Sequence, residues 1–159
     1  MKESHCPSKS ATVIAYMEYR HQGHCVYQTQ YHLVLVSKYR RSIFNPGVLA
    51  YLIDILKRTK EYYPEIEIEK VNGDQDHVHL LLSIPPKLAV GKVVGIIKAN
   101  TAKALKDKFP FLKNVYWGTP GIWSDGYFIS TVGLNEEVVK KYIDLQGRTD
   151  SGQANLVLA

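Results

Sequence analysis

The sequence has little cysteine and no long apolar run. Its two cysteines, Cys6 and Cys25, form no Cys-x-x-Cys pair, which argues against a cysteine-type zinc site and against a disulfide framework. The first residues contain no apolar run of signal-peptide length. No window approaches the roughly 18 continuous apolar residues of a membrane span. These absences predict a cytoplasmic protein without membrane association.

Internal repeats, low-complexity blocks and linkers are also lacking, so the 159 residues suit one domain. We expect an N-terminal extension over 1–22, a folded domain over 23–147 and a tail over 148–159. The apolar content of 45% and charged content of 22% are typical of a globular protein. The net charge of +5 is compatible with a polyanionic partner such as nucleic acid, but many basic proteins bind none.

Periodicity predicts the elements of the first half. HCVYQTQYHLVLVSKYRR (24–41) is rich in β-branched and aromatic residues, which favours a strand. NPGVLAYLIDILKRTKEYY (45–63) has helical spacing, with Asn45 as N-cap and Pro46 as first helical residue. EIEIEKV (65–71) alternates strictly between apolar and charged residues, as a half-buried strand does.

The second half continues this pattern. DHVHLLLSI (76–84) follows the turn signal Asn72-Gly73, so it is expected to form a hairpin with the preceding strand. A second helix (89–109), a fourth strand (126–133) and a short last helix (135–147) complete the order β-α-β-β-α-β-α. This order predicts an α+β, ferredoxin-like split βαβ fold. The sheet should be mainly antiparallel, with both long helices on one face and one further C-terminal helix.

Two histidines open the second strand of the hairpin. Alternation along a strand directs Val78, Leu80 and Leu82 into the core, and places His77 and His79 together on the opposite, open face. Their ring nitrogens can converge on one divalent ion. Two imidazoles do not make a metal site, however, and they could simply decorate an exposed face.

The last helix carries two residues that could complete such a site. Tyr142 and Gln146 are four residues apart, one turn above the other. They could be a core aromatic and a polar residue at the helix end. Alternatively, the amide oxygen of Gln146 could be a third metal ligand, and the hydroxyl of Tyr142 could attack an electrophile such as a DNA phosphate.

Four motifs together resemble a known family. YHLVLVSKYRR, DHVH, YFISTVG and KKYIDLQ are similar, in this order over residues 24–147, to motifs of the single-tyrosine transposases of bacterial insertion sequences. These belong to the HUH (histidine-hydrophobic-histidine) endonuclease superfamily. The resemblance implies an enzyme that cuts and rejoins single-stranded DNA at the ends of an insertion sequence through a 5′-phosphotyrosine intermediate.

The resemblance also implies the roles of individual residues. Tyr142 matches the nucleophile, His77 and His79 match the metal-binding pair, and Gln146 matches the third ligand of Mg²⁺ or Mn²⁺. Asp74 is a weaker candidate for helping at this site. The family acts as a homodimer, in which the last helix can dock so that the tyrosine of one subunit completes the histidine site of the other.

The expected partner is single-stranded DNA with a subterminal hairpin. Candidate phosphate contacts are the basic residues Lys38, Arg40, Arg41, Lys92, Lys103 and Lys106. Trp117 and Trp123 could stack on unpaired bases, although packing is the alternative for both. Two other functions remain open at this point: a domesticated relative that processes chromosomal repeat hairpins, and a nucleic-acid-binding module without catalysis. A hydrolytic metalloenzyme would need more His or carboxylate ligands than the sequence offers.

Overall fold

The computed structural model of this protein describes residues 20–132. The predicted last helix, with Tyr142 and Gln146, lies outside the described residues, as do residues 1–19 and the C-terminal tail. The described elements are β1 (Arg20–Gln22), β2 (Cys25–Tyr27), β3 (Gln30–Val36), α1 (Pro46–Tyr62), β4 (Glu67–Gly73), β5 (His77–Ser83), α2 (Val90–Lys108), α3 (Phe111–Val115) and β6 (Phe128–Val132).

The four longer strands form one sheet in the order β4-β5-β3-β6, and every neighbouring pair is antiparallel. The helix α1 connects β3 to β4, and α2 lies between β5 and β6. This is the split βαβ arrangement, so the predicted fold class is confirmed. The sheet places β3 and β5 in its centre, where each strand has a hydrogen-bonded neighbour on both sides.

One face of the sheet packs against both long helices. Val78, Leu80 and Leu82 of β5 are fully buried there, as their alternation predicted. They join a core of apolar side chains from β3, α1 and α2 that includes Leu33, Leu35, Val48, Leu52, Leu56, Val93, Val94, Ile97 and Leu105. Burial of this apolar surface is the main term that stabilises the fold.

The helix α1 begins as its sequence predicts. The side-chain oxygen of Asn45 accepts a hydrogen bond from the backbone N–H of Val48 at 3.0 Å, which satisfies one of the free donors of the first turn. Pro46 occupies the first helical position, where its missing N–H costs nothing. Every fourth residue from Val48 to Leu56 then faces the core.

The turn between β4 and β5 lies two residues beyond the predicted one. Asn72 and Gly73 are the last residues of β4, and 74–76 form the turn. Gly73 is required here by a close approach, because a Cβ atom at this position would lie 2.8 Å from Leu49 of α1 and 2.9 Å from Val78. The glycine therefore lets the end of the hairpin pack tightly on α1.

The predicted single strand over 24–41 is wrong. It is broken into β2 and β3, and β2 pairs with β1 in a small separate hairpin. β3 ends at Val36, and the next residues form a tight turn in which Tyr39 and Arg40 have positive φ angles of 60° and 51°. Such conformations cost roughly 1–3 kcal/mol each and persist only where surrounding contacts impose them. Here the backbone N–H of Ser37 donates to Asp76, and that of Lys38 donates to Ile122.

The second face of the sheet is not open, contrary to expectation. His79, Leu81 and Ser83 of β5 are at most 2% exposed. Arg20 of β1 reaches this face and pairs with Glu67 and with Glu69, the latter at 2.9 Å. Strand propensity alone does not reveal such covering groups, because they come from a separate hairpin.

Candidate metal and catalytic site

His77 and His79 lie together at the start of β5. Their rings contact each other edge to face, with centroids 5.1 Å apart. The side chain of His77 is 13% exposed, whereas His79 is 2% exposed. His79 lies opposite Val34 of β3 and Asn72 of β4, so hydrogen-bonded ladders on both sides hold its backbone. The histidine pair is thus a fixed feature of a central strand.

A carboxylate orients His77. The Nδ1 atom of His77 lies 2.6 Å from an oxygen of Asp76, and the Nε of Arg40 donates to the other oxygen at 3.3 Å. Burial alone would raise the pKa of Asp76, but the hydrogen bond and charge of His77, joined by Arg40, bring it below its usual value. With Nδ1 taken by Asp76, the nitrogen of His77 that can bind a ligand is Nε2.

Asp76 rather than Asp74 is the carboxylate at hydrogen-bond distance from His77. The side chain of Asp74 accepts from the backbone N–H of Gln75 at 2.7 Å, and its own N–H donates to the His77 carbonyl at 2.9 Å. It is therefore a turn residue. The sequence did not single out Asp76, because neighbouring side chains in a strand point to opposite faces and only the turn brings Asp76 to His77.

His79 presents a buried nitrogen to this site. Its Nε2 atom is buried without a hydrogen-bond partner in the described part of the chain. Its Nδ1 lies 2.9 Å from Nε2 of His32, a buried residue of β3. Burial, reinforced by the nearby His32 and His77, lowers the pKa of His79 to about 3. The ring is therefore neutral at physiological pH, as a metal-bound imidazole must be.

These residues fit part of a divalent-metal site. A buried ring nitrogen without a hydrogen-bond partner among the described residues, beside a second imidazole backed by a carboxylate, is an arrangement that metal-binding histidines show. Within residues 20–132, no three His, Cys, Asp or Glu side chains form a complete cluster. A metal site with three protein ligands would therefore need one from another residue type or from another part of the chain. The predicted third ligand, Gln146, lies outside the described residues, as does Tyr142.

Three of the predicted DNA contacts share one groove. Lys38, Lys103 and Lys106 line an open depression of about 670 Å³ between α2 and the loop before β6. Lys98 and Lys113, which the sequence analysis did not select, line the same depression. Lys98 also donates to the carbonyls of three consecutive loop residues, 124–126, and Lys106 donates to Thr119 at 2.8 Å. These two lysines therefore also hold the loop in place.

The other predicted contacts lie elsewhere. Arg40 pairs with Asp76, as described above, and Arg41 donates to the carbonyl of Val115 while its guanidinium lies over the rings of Tyr39 and Tyr116. Lys92 lines a separate depression beside Tyr62 and Tyr63. The six basic residues predicted to contact DNA therefore do not share one surface.

The two tryptophans differ sharply in exposure. Trp123 is 5% exposed, packs on Phe44 and donates from Nε1 to Thr101 at 2.9 Å. Trp117 is 85% exposed. Packing is therefore the role of Trp123, and Trp117 keeps a ring face that a base can reach.

Comparison with known proteins decides the family. The family model described as "Transposase IS200 like" matches residues 25–146. This chain belongs to the IS200-like transposase family. It is 32% identical over 128 residues to the transposase for insertion sequence element IS200 of Salmonella typhimurium, covering 80% of this chain and 83% of that protein. It is 36% identical over 122 residues to the ISDra2 transposase TnpA of Deinococcus radiodurans, covering 76% and 86%.

A solved structure supports the same relationship for this IS200-like transposase. A crystal structure of a protein assigned as a transposase in Deinococcus radiodurans R1 aligns with a TM-score of 0.65 and 29% identity, covering 80% of this chain and 97% of that one. In the described part of the transposase, no helix is long and apolar enough to cross a membrane.

The most important residue missed by sequence reasoning is His32. It stands in the apolar run YHLVLV, where a lone histidine on a strand is usually a satisfied core residue. The sequence signal was its alternation with Leu33 and Leu35, which places it on the face away from the core. Its proximity to His79 depends on the β3–β5 register, in which His32 lies opposite Leu81 and Val34 opposite His79.

Proposed function

We propose that this transposase cleaves and rejoins single-stranded DNA at the ends of an insertion sequence, with Tyr142 as nucleophile. The proposal rests mainly on the histidine pair at the start of β5. The Nε2 atom of His79 is buried and has no hydrogen-bond partner among the described residues, and the neighbouring His77 is held by the carboxylate of Asp76. Family membership supports the reaction class. Tyr142 itself enters through its match to the family motif.

We assign His77, His79 and Gln146 as the residues that would hold Mg²⁺ or Mn²⁺. A divalent ion bound there would supply charge neutralisation at the scissile phosphate and at the leaving oxygen. Imidazole ligands favour Mn²⁺ over Mg²⁺. Asp76 holds the ring of His77 in one orientation through Nδ1, so that Nε2 remains available.

The chemical step assigned to Tyr142 exchanges one phosphate ester bond for another and needs no external energy source. Its phenolic oxygen forms a bond to the phosphorus while the bond from phosphorus to the 3′ oxygen breaks. The phenolic proton is lost to solvent and the leaving 3′ oxygen gains a proton. Because a free tyrosine has a pKa near 10, forming phenolate at pH 7 costs about 4 kcal/mol, which the site must offset. Rejoining is the reverse attack by a 3′ hydroxyl, so the phosphodiester energy is conserved.

The proposed partner is single-stranded DNA with a subterminal hairpin. The groove lysines Lys38, Lys103 and Lys106 are candidates for phosphate contacts, as are Arg40, Arg41 and Lys92 outside the groove. Lys92 and Lys103 are exposed, and their side chains make no hydrogen bond or ion pair to any described residue. They are therefore the two that can contact DNA without giving up an internal contact. Exposed Trp117 is the candidate for stacking on an unpaired base.

A covalent-adduct assay tests the nucleophile. Wild-type protein, incubated with single-stranded element ends and Mn²⁺ or Mg²⁺, should yield a protein–DNA adduct on a denaturing gel. Tyr142→Phe should yield none while still binding the hairpin DNA. Tyr62→Phe is a matched control, because Tyr62 is 78% exposed at the end of α1 and should retain full activity. An adduct formed by the Tyr142→Phe variant would show that the nucleophile is another residue.

We also propose that the active form is a homodimer in which Tyr142 of one subunit serves the histidine site of the other. Mixing Tyr142→Phe with His77→Ala subunits tests this arrangement. If the tyrosine acts in trans, the mixed dimer contains one intact composite site and regains part of the activity. If each tyrosine serves its own subunit, neither subunit has a complete site, and the mixture stays inactive.

A further inference from the structure

His32 is a buried imidazole for which the proposed chemistry has no role. It is 4% exposed on β3, in the centre of the sheet. Its ring lies nearly in the plane of the His79 ring, with centroids 5.1 Å apart and planes inclined by 13°. Its Nε2 lies 2.9 Å from Nδ1 of His79. The rings therefore meet edge to edge, in the nearly coplanar arrangement of a direct hydrogen bond between two ring nitrogens.

A hydrogen bond between two neutral imidazoles needs one proton, and there are two ways to place it. If His32 donates, Nδ1 of His79 is the acceptor and His79 carries its own proton on Nε2. That N–H would be buried without an acceptor among the described residues. If His79 donates from Nδ1, its Nε2 keeps a lone pair, in a ring whose centroid lies 5.1 Å from that of His77.

We propose that His32 is a positioning residue that accepts the Nδ1 proton of His79 and thereby keeps His79 Nε2 free as a metal ligand. This inference rests on the proposed metal site, which it deepens by naming the group behind the second histidine. Because the two rings are nearly coplanar, the same hydrogen bond also restricts rotation of the His79 ring, so that one contact sets both tautomer and orientation.

The two histidines of the pair then have different supports. His77 is backed by the carboxylate of Asp76 and is partly exposed. His79 is backed by an imidazole and is almost fully buried. A carboxylate in place of His32 would bury a negative charge near the site that must receive a DNA phosphate, and both the burial and the repulsion would be unfavourable. An imidazole can accept the same proton while remaining uncharged.

The location of the proton is measurable in metal-free protein. Histidine labelled with ¹⁵N, observed through long-range proton–nitrogen correlations, reports which ring nitrogen carries the proton. We expect His79 in the wild-type protein to be protonated on Nδ1 and bare on Nε2. A wild-type spectrum with the proton on Nε2 would overturn the proposal, and this measurement needs neither a variant nor a metal.

Substitutions test the consequence for metal binding. His32→Phe keeps a ring against His79 but cannot accept a proton, so Mn²⁺ affinity measured by calorimetry should fall by about 10- to 100-fold. His32→Gln retains an acceptor oxygen and should recover most of that loss. Val34→Ala is a matched packing control, since Val34 lies directly opposite His79 on β3 and makes no side-chain hydrogen bond.

The outcomes separate this inference from the proposed function. Equal Mn²⁺ affinity of His32→Phe and Val34→Ala would contradict the positioning role, even if both variants cleave DNA. Failure of the wild-type protein to bind Mn²⁺ would overturn the metal site and, with it, the purpose assigned to His32. Weak binding by His32→Phe together with recovery in His32→Gln would support the acceptor role over a purely structural one.

Discussion

Replacing Asp76 gives the sharpest test of the site, because sequence and structure point to different aspartates. The carboxylate of Asp76 lies 2.6 Å from Nδ1 of His77, whereas Asp74 lies in the same turn and accepts from the backbone of Gln75. The backbone carbonyl of Asp76 accepts from Ser37, a contact that substitution of the side chain leaves in place. The side chain can therefore be changed while the hairpin stays docked.

The expected magnitude follows from what each variant retains. Loss of an outer group behind a metal-bound histidine typically lowers metal affinity by about 10- to 100-fold, or roughly 1.4–2.7 kcal/mol. Asp76→Asn keeps an acceptor for the His77 N–H but loses the charge, so we expect its Mn²⁺ affinity to fall by about 10-fold. Asp76→Ala removes the acceptor as well, so we expect its Mn²⁺ affinity to fall by about 100-fold. The ion pair with Arg40 adds little, because Arg40 is 65% exposed.

The assay is calorimetric titration of the metal-free protein with Mn²⁺, accompanied by thermal unfolding to confirm that each variant is folded. Asp74→Asn and Asp74→Ala are the matched controls and should bind within about 2-fold of wild type, since in the described part of the structure the Asp74 side chain makes no hydrogen bond to either histidine ring. A positioning role for Asp76 is contradicted if Asp76→Ala binds Mn²⁺ as tightly as wild type, or if the Asp74 variants lose as much affinity as the Asp76 variants.

Three further predictions concern stability. Gly73→Ala should lower the free energy of unfolding by about 1–3 kcal/mol in chemical denaturation, because its Cβ would lie 2.8 Å from Leu49; an unchanged midpoint would contradict this. In the folded, metal-free protein, His79 has a pKa of about 3 and takes up no proton near pH 5. The same side chain in the unfolded protein has its ordinary pKa near 6.5 and does take up a proton at this pH. Above about pH 6.5 this difference has no effect on the free energy of unfolding. On acidification from about pH 6.5 toward pH 3, it lowers the free energy of unfolding by about 1.4 kcal/mol per pH unit. Denaturation curves from pH 4 to 8 should show this slope, and His79→Leu should show less of it. Trp123→Phe should cost about 1–3 kcal/mol through the lost hydrogen bond to Thr101, whereas exposed Trp117→Phe should leave thermal unfolding unchanged.

Local patterns predicted much of this architecture because each depends on neighbours along the chain. The period of two in β5 placed Val78, Leu80 and Leu82 in the core and the histidines opposite, and the structure agrees. The cap at Asn45 likewise involves residues only three apart. The strand that was predicted too long, over 24–41, failed for a complementary reason. High β propensity runs through the whole segment. The strand is nevertheless divided, because β2 pairs with β1 in a separate hairpin, and β3 ends before the turn at Tyr39 and Arg40.

Periodicity along the chain thus predicted the order of the two long helices and of the four strands of the main sheet, the face that forms the core, and the juxtaposition of His77 with His79. The groups that surround this histidine pair, in contrast, depend on long-range packing. The register of β3 against β5 brings His32 onto His79, and the turn after β4 brings Asp76 onto His77. The packing of separate segments buries a face that alternation alone left open. Neither contact follows from helical or strand periodicity. The first depends on how two distant strands pair, and the second depends on the conformation of a turn.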